Sequence, residues 1–256
     1  MKIFVLSLKR ATERRKRITE HLQARNISYE LFDAVDGTLL SDDDMVQLCD
    51  MEVVKKNHTW LTKGMIGACL SHYRIYKKII EQNIPYACVI EDDVAIDANF
   101  SAVLDKIEAF ISERKFVLMH YTSWQNMQLL PVQKSLYKDF GLYEMSNLEG
   151  LNSAACYVLS NDAAAKLFDL VLPIRMGPDS WTEFAQGGAI PKIYAVYPKP
   201  ATIVYAKSTI DYIEAKSFAW YLSNFVNDYK IFPLYQFLKY RRKRLYNKMN
   251  HIQIVG

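Results

Sequence analysis

Residues 86–93 read Tyr-Ala-Cys-Val-Ile-Glu-Asp-Asp, an unbroken apolar run followed by three acids. A short run of this kind, with no polar alternation, is typical of a central strand that is covered on both faces of its sheet. Pro85 stands immediately before the run and ends the helical pattern that precedes it. The stretch therefore predicts a buried strand whose carboxyl end presents carboxylates, the position where open α/β sheets bind ligands.

Strand and helix patterns alternate on both sides of this run. Apolar runs predict strands at 3–6, 29–32, 116–119, 155–160 and 192–197, and apolar spacings of three and four residues predict helices at 12–26, 61–82, 100–112 and 161–171. This alternation predicts an α/β fold, with a Rossmann-like, mostly parallel sheet flanked by helices. We expect a main domain over residues 1–215 and a helical, basic C-terminal extension over residues 216–256.

The formal net charge of +4 is concentrated in that extension. A nucleic-acid-binding protein would spread its positive excess over a wider surface, so we expect no nucleic-acid partner. A cluster of cations interleaved with Tyr and Leu favours contact with an anionic membrane surface, and a solvated helix end or a local nucleic-acid patch are the alternatives. The clustered cations are Lys239, Arg241, Arg242, Lys243, Arg244 and Lys248.

No apolar stretch approaches the roughly 20 residues that a membrane span requires. The apolar run at residues 3–8 is too short for a signal peptide, and Lys9 and Arg10 interrupt it. We therefore expect a cytoplasmic protein that is peripheral on the inner membrane where its basic extension makes contact. The four cysteines are isolated from one another, which argues against a zinc site.

The three acids at residues 91–93 predict a divalent metal site. Adjacent carboxylates at the end of a buried strand repel one another, and a cation with a preference for oxygen ligands, Mg²⁺ or Mn²⁺, relieves that repulsion. In extended chain Glu91 and Asp93 project to the same side and Asp92 to the other. Glu91 and Asp93 are therefore the predicted metal ligands. The alternative is a solvated turn in which Asp93 caps the next helix.

Four segments in register resemble glycosyltransferase family 25, the lipooligosaccharide biosynthesis glycosyltransferases. They span roughly residues 3–210 and comprise residues 5–10 with Arg14-Arg15, residues 32–37 (Phe-Asp-Ala-Val-Asp-Gly), Gly67 with Leu70-Ser71-His72, and residues 89–94. The resemblance implies a GT-A-like catalytic domain, a UDP-sugar donor (UDP-galactose most often), a divalent metal and inversion at the anomeric carbon. This chain departs from the family at Met65, where members commonly carry Glu, and the departure concerns the donor-sugar contact.

The resemblance also suggests roles for single residues. Asp179, in Gly177-Pro178-Asp179, matches a late acidic position of the family and is the expected catalytic base, with Glu183 and Glu149 as rivals and a simple turn residue as the alternative. Trp124 and Trp181 are candidates for stacking on acceptor sugars, or for the core. The residues expected to contact the nucleotide sugar are Ser7, Leu8, Arg10, Arg14, Asp36, His72 and Asp92.

Several of these residues have a plainer interpretation as well. Arg14 also suits a solvated helix face, Asp36-Gly37 is ordinary turn chemistry, and a lone histidine on a helix, such as His72, is more often structural. The leading hypothesis is a metal-dependent hexosyltransferase that moves galactose or glucose to a hydroxyl of a lipid-linked lipooligosaccharide acceptor. The rivals are another metal enzyme acting on nucleotides (a nucleotidyltransferase or nucleotide-sugar hydrolase) and a non-catalytic adaptor at the membrane surface.

Overall fold

The computed structural model describes residues 1–111, 116–204, 218–249 and 251–255, without the side chains of residues 218–221, 224 and 242–249. Most of these residues build an α/β structure around one large sheet. Eight of the described strands form this sheet and six form three two-stranded ribbons. In chain order the strands are β1 Lys2–Ser7, β2 Glu30–Asp33, β3 Tyr86–Glu91, β4 Val94–Ile96, β5 Phe116–Leu118, β6 Thr122–Ser123, β7 Met127–Leu129, β8 Lys134–Tyr137, β9 Phe140–Glu144, β10 Leu151–Asn152, β11 Cys156–Ser160, β12 Ile193–Tyr197, β13 Ala201–Ile203 and β14 Ile252–Ile254.

The helices follow the strands closely in the first half of the chain. A short 3-10 helix, Gly37–Leu39, separates β1, α1 and β2 from the helices that follow. The α-helices are α1 Thr12–Gln23, α2 Asp42–Leu48, α3 Met51–Lys56, α4 Lys63–Glu81, α5 Phe100–Glu108, α6 Asn161–Val171, α7 Trp181–Gln186, α8 Phe218–Asp228 and α9 Leu234–Met249.

Within the described residues the main sheet has eight strands in the order β2-β1-β3-β11-β5-β12-β9-β8. The expectation of a mostly parallel sheet was wrong, because β11 runs antiparallel to both β3 and β5, and β9 runs antiparallel to β12. After β5 the chain makes a short ribbon, β6 with β10, and then enters β11 from the carboxyl edge of the sheet. A strand that begins at that edge must run opposite to its neighbours.

The sheet is covered on both faces, as the apolar run at 86–90 predicted. Residues 87–90 are fully buried. Alternate side chains of β1 and β3 face opposite layers: Phe4 and Val89 pack with helices α4 and α6, whereas Val5 and Ile90 pack with α1 and α5. Two apolar layers therefore hold the central strands in place, which fixes the position of the residues at the strand ends.

The strands β1, β2 and β3 end at the same level. The parallel register pairs Ser7 with Asp33 and Leu6 with Glu91, so that these residues share the carboxyl edge of the sheet. Strands β5 and β12 are parallel to each other and contribute their carboxyl ends to the same edge, because β5 and β3 are both antiparallel to β11. Side chains that follow five different strands consequently converge there.

The C-terminal part is helical in α8 and α9 and ends in a strand that joins the body. β14 pairs in parallel with β7, with Ile252 opposite Met127. The predicted boundary at residues 215 and 216 lies outside the described residues, and so do the side chains of Arg242, Lys243, Arg244 and Lys248. The division into a main domain and a basic extension therefore stays a prediction. No helix among the described residues has the length and apolar character needed to cross a membrane.

Candidate functional site

A cleft of about 420 Å³ opens at the carboxyl edge of the sheet between β1, β3, the 3-10 helix and α4. It collects residues that are far apart in sequence, and most of the predicted nucleotide-contacting residues are among them. Its lining consists of Leu6, Ser7, Leu8, Arg10, Arg14, Ala34, Val35, Asp36, Gly37, Thr38, Thr62, Lys63, Gly64, Ala68, Ser71, Glu91 and Asp92.

One wall of the cleft is a contact between two backbones. A Cβ atom on Gly37 would stand 1.8 Å from the carbonyl oxygen of Lys63, and a Cβ on Gly67 would stand 2.7 Å from the Gly37 nitrogen. Ser71 secures the same contact, since its hydroxyl accepts a hydrogen bond from the Val35 nitrogen and donates one to the Gly67 carbonyl. Glycine at both positions lets the loop after β2 lie directly on α4.

Asp36 caps the 3-10 helix and pairs with Arg10. Its carboxylate accepts hydrogen bonds from the nitrogen and hydroxyl of Thr38, at 3.1 and 2.7 Å, and from Arg10 Nε at 2.5 Å. The Arg10 guanidinium, with the Thr38 hydrogen bonds, lowers the pKa of Asp36 to about 2. Asp36 therefore stays ionised and is held at the cleft wall by its own loop.

Asp92 is a buried, paired carboxylate. It is 5% exposed, accepts a hydrogen bond from the Ser7 hydroxyl at 2.5 Å and forms an ion pair with Arg14, while Arg17 donates to its backbone carbonyl at 2.8 Å. These contacts join the end of β1, helix α1 and the end of β3. Asp92 thus holds together the three elements that frame the cleft.

Asp93 has an oxygen atom without a partner. Residues 92 and 93 form a turn, so the extended alternation expected for the triplet is absent. Arg14 Nη2 lies 3.1 Å from Asp93 Oδ2, whereas Oδ1 is buried and makes no hydrogen bond. Burial, and after it the negative charge of Glu91, raises the pKa of Asp93 to about 6 against the opposing effect of Arg14. A cation bound at this oxygen would remove both penalties.

Glu91 is oriented by a buried histidine. His72 Nε2 lies 3.2 Å from Glu91 Oε1, and His72 Nδ1 lies 2.7 Å from the hydroxyl of Tyr157, which is itself 3.3 Å from the hydroxyl of Tyr76. A carboxylate only accepts, so Nε2 carries the proton that it donates to Glu91. His72 is 1% exposed and does not line the cleft. Its position gives it a structural role behind Glu91 and no direct contact with the cleft.

Two carboxylates, Glu91 and Asp93, are the groups available for a metal. Among the described residues, no three His, Cys, Asp or Glu side chains converge as metal ligands do. Mg²⁺ commonly binds through one or two protein carboxylates and completes its shell with water and substrate phosphates. The unpartnered oxygen of Asp93 and the orientation of Glu91 fit that kind of site.

Asp179, the expected catalytic base, lies near enough to Glu91 for the charge of Glu91 to affect it. Its Oδ2 accepts a hydrogen bond from the Ser153 nitrogen at 2.9 Å. Burial, followed by the charge of Glu91, raises the pKa of the Asp179 carboxyl. The rival bases, Glu183 and Glu149, are exposed on the surface. A half-buried carboxyl with a raised pKa, within electrostatic reach of Glu91, is suited to accept a proton.

Met65, the departure from the family pattern, is buried against the loop of Asp179. It is 7% exposed and belongs to the core, and its sulfur lies 3.5 Å from the place where a Cβ on Gly177 would be. Of the two tryptophans, Trp181 is fully buried in α7, which assigns it to the core, whereas Trp124 is 70% exposed. Trp124 alone keeps the possibility of stacking on a sugar.

Two further residues at this edge were not named from the sequence. His120 directly follows β5, is 6% exposed and has Nδ1 3.0 Å from the Ala201 carbonyl, while its Nε2 has no partner. Burial lowers the pKa of His120 to about 4 and that of Lys199, which follows β12, to about 8. The signal that identified Glu91, a polar residue after an apolar run, also marks His120 after residues 116–119.

Comparison with known proteins gives a consistent result. The family model described as glycosyltransferase family 25 (LPS biosynthesis protein) matches residues 1–182. Lipooligosaccharide biosynthesis protein lic2B of Haemophilus influenzae is 29% identical over 169 residues, 64% of this chain and 61% of that protein. Human procollagen galactosyltransferase 2 is 29% identical over 67% of this chain and 29% of its own length.

Other relatives limit what similarity alone indicates about the activity of this chain. Human inactive glycosyltransferase 25 family member 3 is 32% identical over 44% of this chain and 20% of its own length. The chain therefore spans between a fifth and three fifths of the relatives named here. Among solved structures, apo UDP-glucose pyrophosphorylase matches 88% of this chain and 99% of its own at 12% identity and a TM-score of 0.43, a likeness that carries no conclusion about activity. The match to the family model covers well over half of the sequence, and the chain belongs to glycosyltransferase family 25.

Proposed function

We propose that the protein is an inverting, metal-dependent glycosyltransferase that moves galactose or glucose from a UDP-sugar to a hydroxyl of a lipid-linked lipooligosaccharide or lipopolysaccharide glycan. The observation that carries the proposal is the buried Oδ1 of Asp93, which has no partner and is affected by the negative charge of Glu91, a residue that lines a cleft of about 420 Å³. The names of the relatives, a lipooligosaccharide biosynthesis protein and a procollagen galactosyltransferase, support the reaction class. A GT-A-like arrangement of the catalytic domain belongs to the same proposal.

The nucleotide would lie in the cleft between β1 and the 3-10 helix. Ser7 and Leu8 form its floor, and Asp36 stands at the wall where hydrogen bonds to a ribose are available. Arg14 lines the cleft and has a buried Nε without a hydrogen-bond partner, so this donor can meet a diphosphate oxygen. Arg10 contributes a second positive charge at the same rim.

Glu91 and Asp93 would hold a Mn²⁺ or Mg²⁺ ion with the diphosphate. When bound, such an ion neutralises the charge that develops on the departing diphosphate. The protein contributes by orienting Glu91 through His72 and by fixing Asp92, whose carboxylate accepts from Ser7 and whose backbone carbonyl accepts from Arg17. Hydrogen bonds of this supporting kind are typically worth 10–100-fold in metal affinity.

Asp179 would take the proton of the acceptor. The acceptor oxygen forms a bond to the anomeric carbon from the face opposite the diphosphate, and the bond from that carbon to the diphosphate oxygen breaks. The hydroxyl proton passes to the Asp179 carboxylate, and the nucleoside diphosphate leaves. Burial already raises the pKa of Asp179, which strengthens it as a base.

The acceptor places the protein at a membrane. A lipid-linked glycan is confined to the bilayer surface, so the enzyme would work on the cytoplasmic face of the inner membrane as a peripheral protein. Lys239 and Arg241 of α9 are exposed and would contact anionic headgroups.

Calorimetric titration of UDP-galactose and UDP-glucose, with and without Mn²⁺, tests the proposal. We expect metal-dependent binding by the wild-type protein and its loss in Asp93→Ala, with Asp105→Ala, an exposed acid on α5, as matched control. Failure of every UDP-sugar to bind in a metal-dependent way would overturn the proposal. Release of free sugar from the donor without any acceptor product would assign the site to a hydrolase instead.

A further inference from the structure

The chain from residue 218 to 249 is strongly cationic and rich in aromatic residues. It contains seven cations, Lys230, Lys239, Arg241, Arg242, Lys243, Arg244 and Lys248, and one acid, Asp228. Helix α8 is mostly aromatic and aliphatic and carries none of these cations, whereas aromatic and aliphatic residues alternate with six of them in α9. A helical segment of this composition is unusual for a protein surface in contact only with water.

Among the side chains of α8 that the structure describes, most of the apolar stripe is uncovered. Leu222, Phe225 and Tyr229 are spaced by three and four residues and so share one face with Val226. Val226 is 2% exposed, whereas the other three are between about half and three quarters exposed. The centre of the stripe is therefore covered, whereas its margins are open.

The connection to α9 and the first turns of α9 continue this apolar surface. Phe232, in the connection, is 78% exposed and Phe237 is 61% exposed, with Leu234 and Tyr240 also largely exposed. Lys239 and Arg241 are exposed on the same helix. Large apolar side chains scattered singly are ordinary on a surface, but seven exposed ones within one pair of consecutive helices and their connection indicate an interaction site.

We propose that this surface inserts into the interfacial layer of an anionic phospholipid bilayer, with the aromatic rings at the boundary between headgroups and acyl chains and the cations on the phosphates. The surface, which we name the α8–α9 face, consists of Leu222, Phe225, Tyr229, Phe232, Leu234, Phe237 and Tyr240. The inference rests on the lipid-linked acceptor proposed above and specifies how the protein reaches it. Binding is hydrophobic and electrostatic together, in place of a purely electrostatic contact by a basic tail.

The positive charge of this segment favours an anionic bilayer over a second copy of the chain as the partner. A second copy of this chain would bring another six net positive charges, seven cations less one acid, against the first, and the repulsion opposes a dimer through this face. An anionic bilayer reverses the sign of that interaction. Phe and Tyr rings beside Lys and Arg suit the membrane interface, where one side of the helix is apolar and the other is in contact with headgroups.

The α8–α9 face is held to the protein body beyond its far end. Strand β14 pairs with β7 directly after α9, with Ile252 opposite Met127 and the Val255 nitrogen donating to the Leu129 carbonyl at 2.8 Å. Truncating the C-terminus would remove this strand as well as the cations. Point substitutions on the exposed side chains are therefore the sharper test.

Cosedimentation of the full chain with phosphatidylglycerol–phosphatidylcholine vesicles measures the two contributions separately. The double substitution Phe232→Ser with Phe237→Ser should weaken vesicle binding by at least about tenfold at low salt. A loss of the same size should persist at about 1 M salt, where screening limits charge interactions to about 3 Å. Lys239→Gln with Arg241→Gln should weaken it about fivefold per charge at low salt and hardly at high salt. The matched controls are the exposed pairs Val46→Ser with Val132→Ser and Lys55→Gln with Lys56→Gln, which should bind as wild type.

A second measurement covers the case in which the serine variant is misfolded. Phe232→Trp should show a blue-shifted emission component on addition of anionic vesicles, relative to the wild-type protein. Wild-type binding that disappears at about 1 M salt, no spectral shift in Phe232→Trp, or a dimer in lipid-free sedimentation that Phe232→Ser abolishes would each overturn the inference. Transfer to a lipid-free oligosaccharide acceptor, measured without vesicles, reports on the proposed function alone, so that the two can fail independently.

Discussion

Replacement of Arg14 by glutamine removes the guanidinium that pairs with both Asp92 and Asp93. Breaking a buried ion pair by removing one partner typically costs 3–5 kcal/mol. Asp92 keeps its hydrogen bond from Ser7, and the Arg14 side chain is 19% exposed, so we expect a loss at or just below the lower limit of this range, about 2–3 kcal/mol. In a chain of this length the loss corresponds to a fall in Tm of about 5–10 °C.

The same variant tests the metal site, because Mn²⁺ and the Arg14 guanidinium offset the same negative charges. A ligand at a hundred times its Kd stabilises the folded state by about 2.7 kcal/mol. Thermal denaturation should therefore show a larger increase in Tm on addition of Mn²⁺ for Arg14→Gln than for the wild type. Adding Asp93→Asn to Arg14→Gln should restore stability without metal, since one of the two buried charges is gone.

Arg10→Gln is the matched control. Its ion pair with Asp36 involves an arginine that is 53% exposed, and an exposed pair contributes less than about 1 kcal/mol. An unchanged Tm in Arg14→Gln would refute the argument from buried charge. Equal effects of Mn²⁺ on wild type and Arg14→Gln would remove Asp93 from the metal site.

Three further outcomes are expected. Asp179→Asn should lower kcat by about 10²–10⁴-fold and leave the calorimetric affinity for the UDP-sugar unchanged. The control is Glu183→Gln, at an exposed position, and an equal loss of kcat in the two variants would exclude Asp179 as the base. His72→Phe should weaken Mn²⁺-dependent nucleotide binding by about 10–100-fold because Glu91 loses its orienting hydrogen bond, and an unchanged titration contradicts this. The pKa of His120 is about 4 in the folded protein, against 6.5 for an ordinary histidine, so between these pH values the unfolded chain binds one more proton and wild-type stability rises by up to about 3 kcal/mol from pH 4 to 6.5. Urea denaturation across this range should give a flatter dependence of stability on pH for His120→Asn. Parallel pH dependences for the two proteins would show that His120 does not cause the rise.

The parts of the fold that were predictable depend on short-range patterns. The apolar run at residues 87–90 is fully buried, and its position before Glu91 located the carboxyl edge. Helix starts were also readable: α1 begins at Thr12 and α5 at Phe100, as the apolar spacing indicated. Helix ends were less so, since α5 stops at Glu108, before the predicted end at 112.

The direction of β11 was beyond the same reasoning. Its residues, Cys156–Ser160, form an apolar run like that of β3, and a buried strand gives the same pattern in either direction. Direction depends on where the preceding chain leaves the sheet. The β6–β10 ribbon returns the chain to the carboxyl edge, a long-range arrangement that residues 122–152 do not reveal by periodicity.

The residues of the candidate site also divide into those whose position the sequence predicts and those whose contacts only the tertiary structure reveals. Position at a strand end could be inferred for Glu91, but the burial of Asp92 depends on Ser7 and Arg14, which lie more than seventy residues away in sequence. His72 was predicted to contact the nucleotide sugar, with a structural role as the alternative, and its hydrogen bond with Glu91 could be known only from the packing of α4 beside β3. Single-residue roles of this kind require the assembled tertiary structure.

The contact between Gly37 and the Lys63 carbonyl has a consequence for substrate range. A wall built from two backbones has no side chain whose replacement could widen or narrow it, so its outline is set by the fold itself. If the cleft holds the nucleotide as proposed, selection among nucleotides falls to the side chains of the remaining lining, which include the small residues Ala34 and Ala68 beside Arg10 and Asp36. We expect substitutions at Ala34 and Ala68 to change donor preference while the backbone contact that keeps the cleft open stays in place.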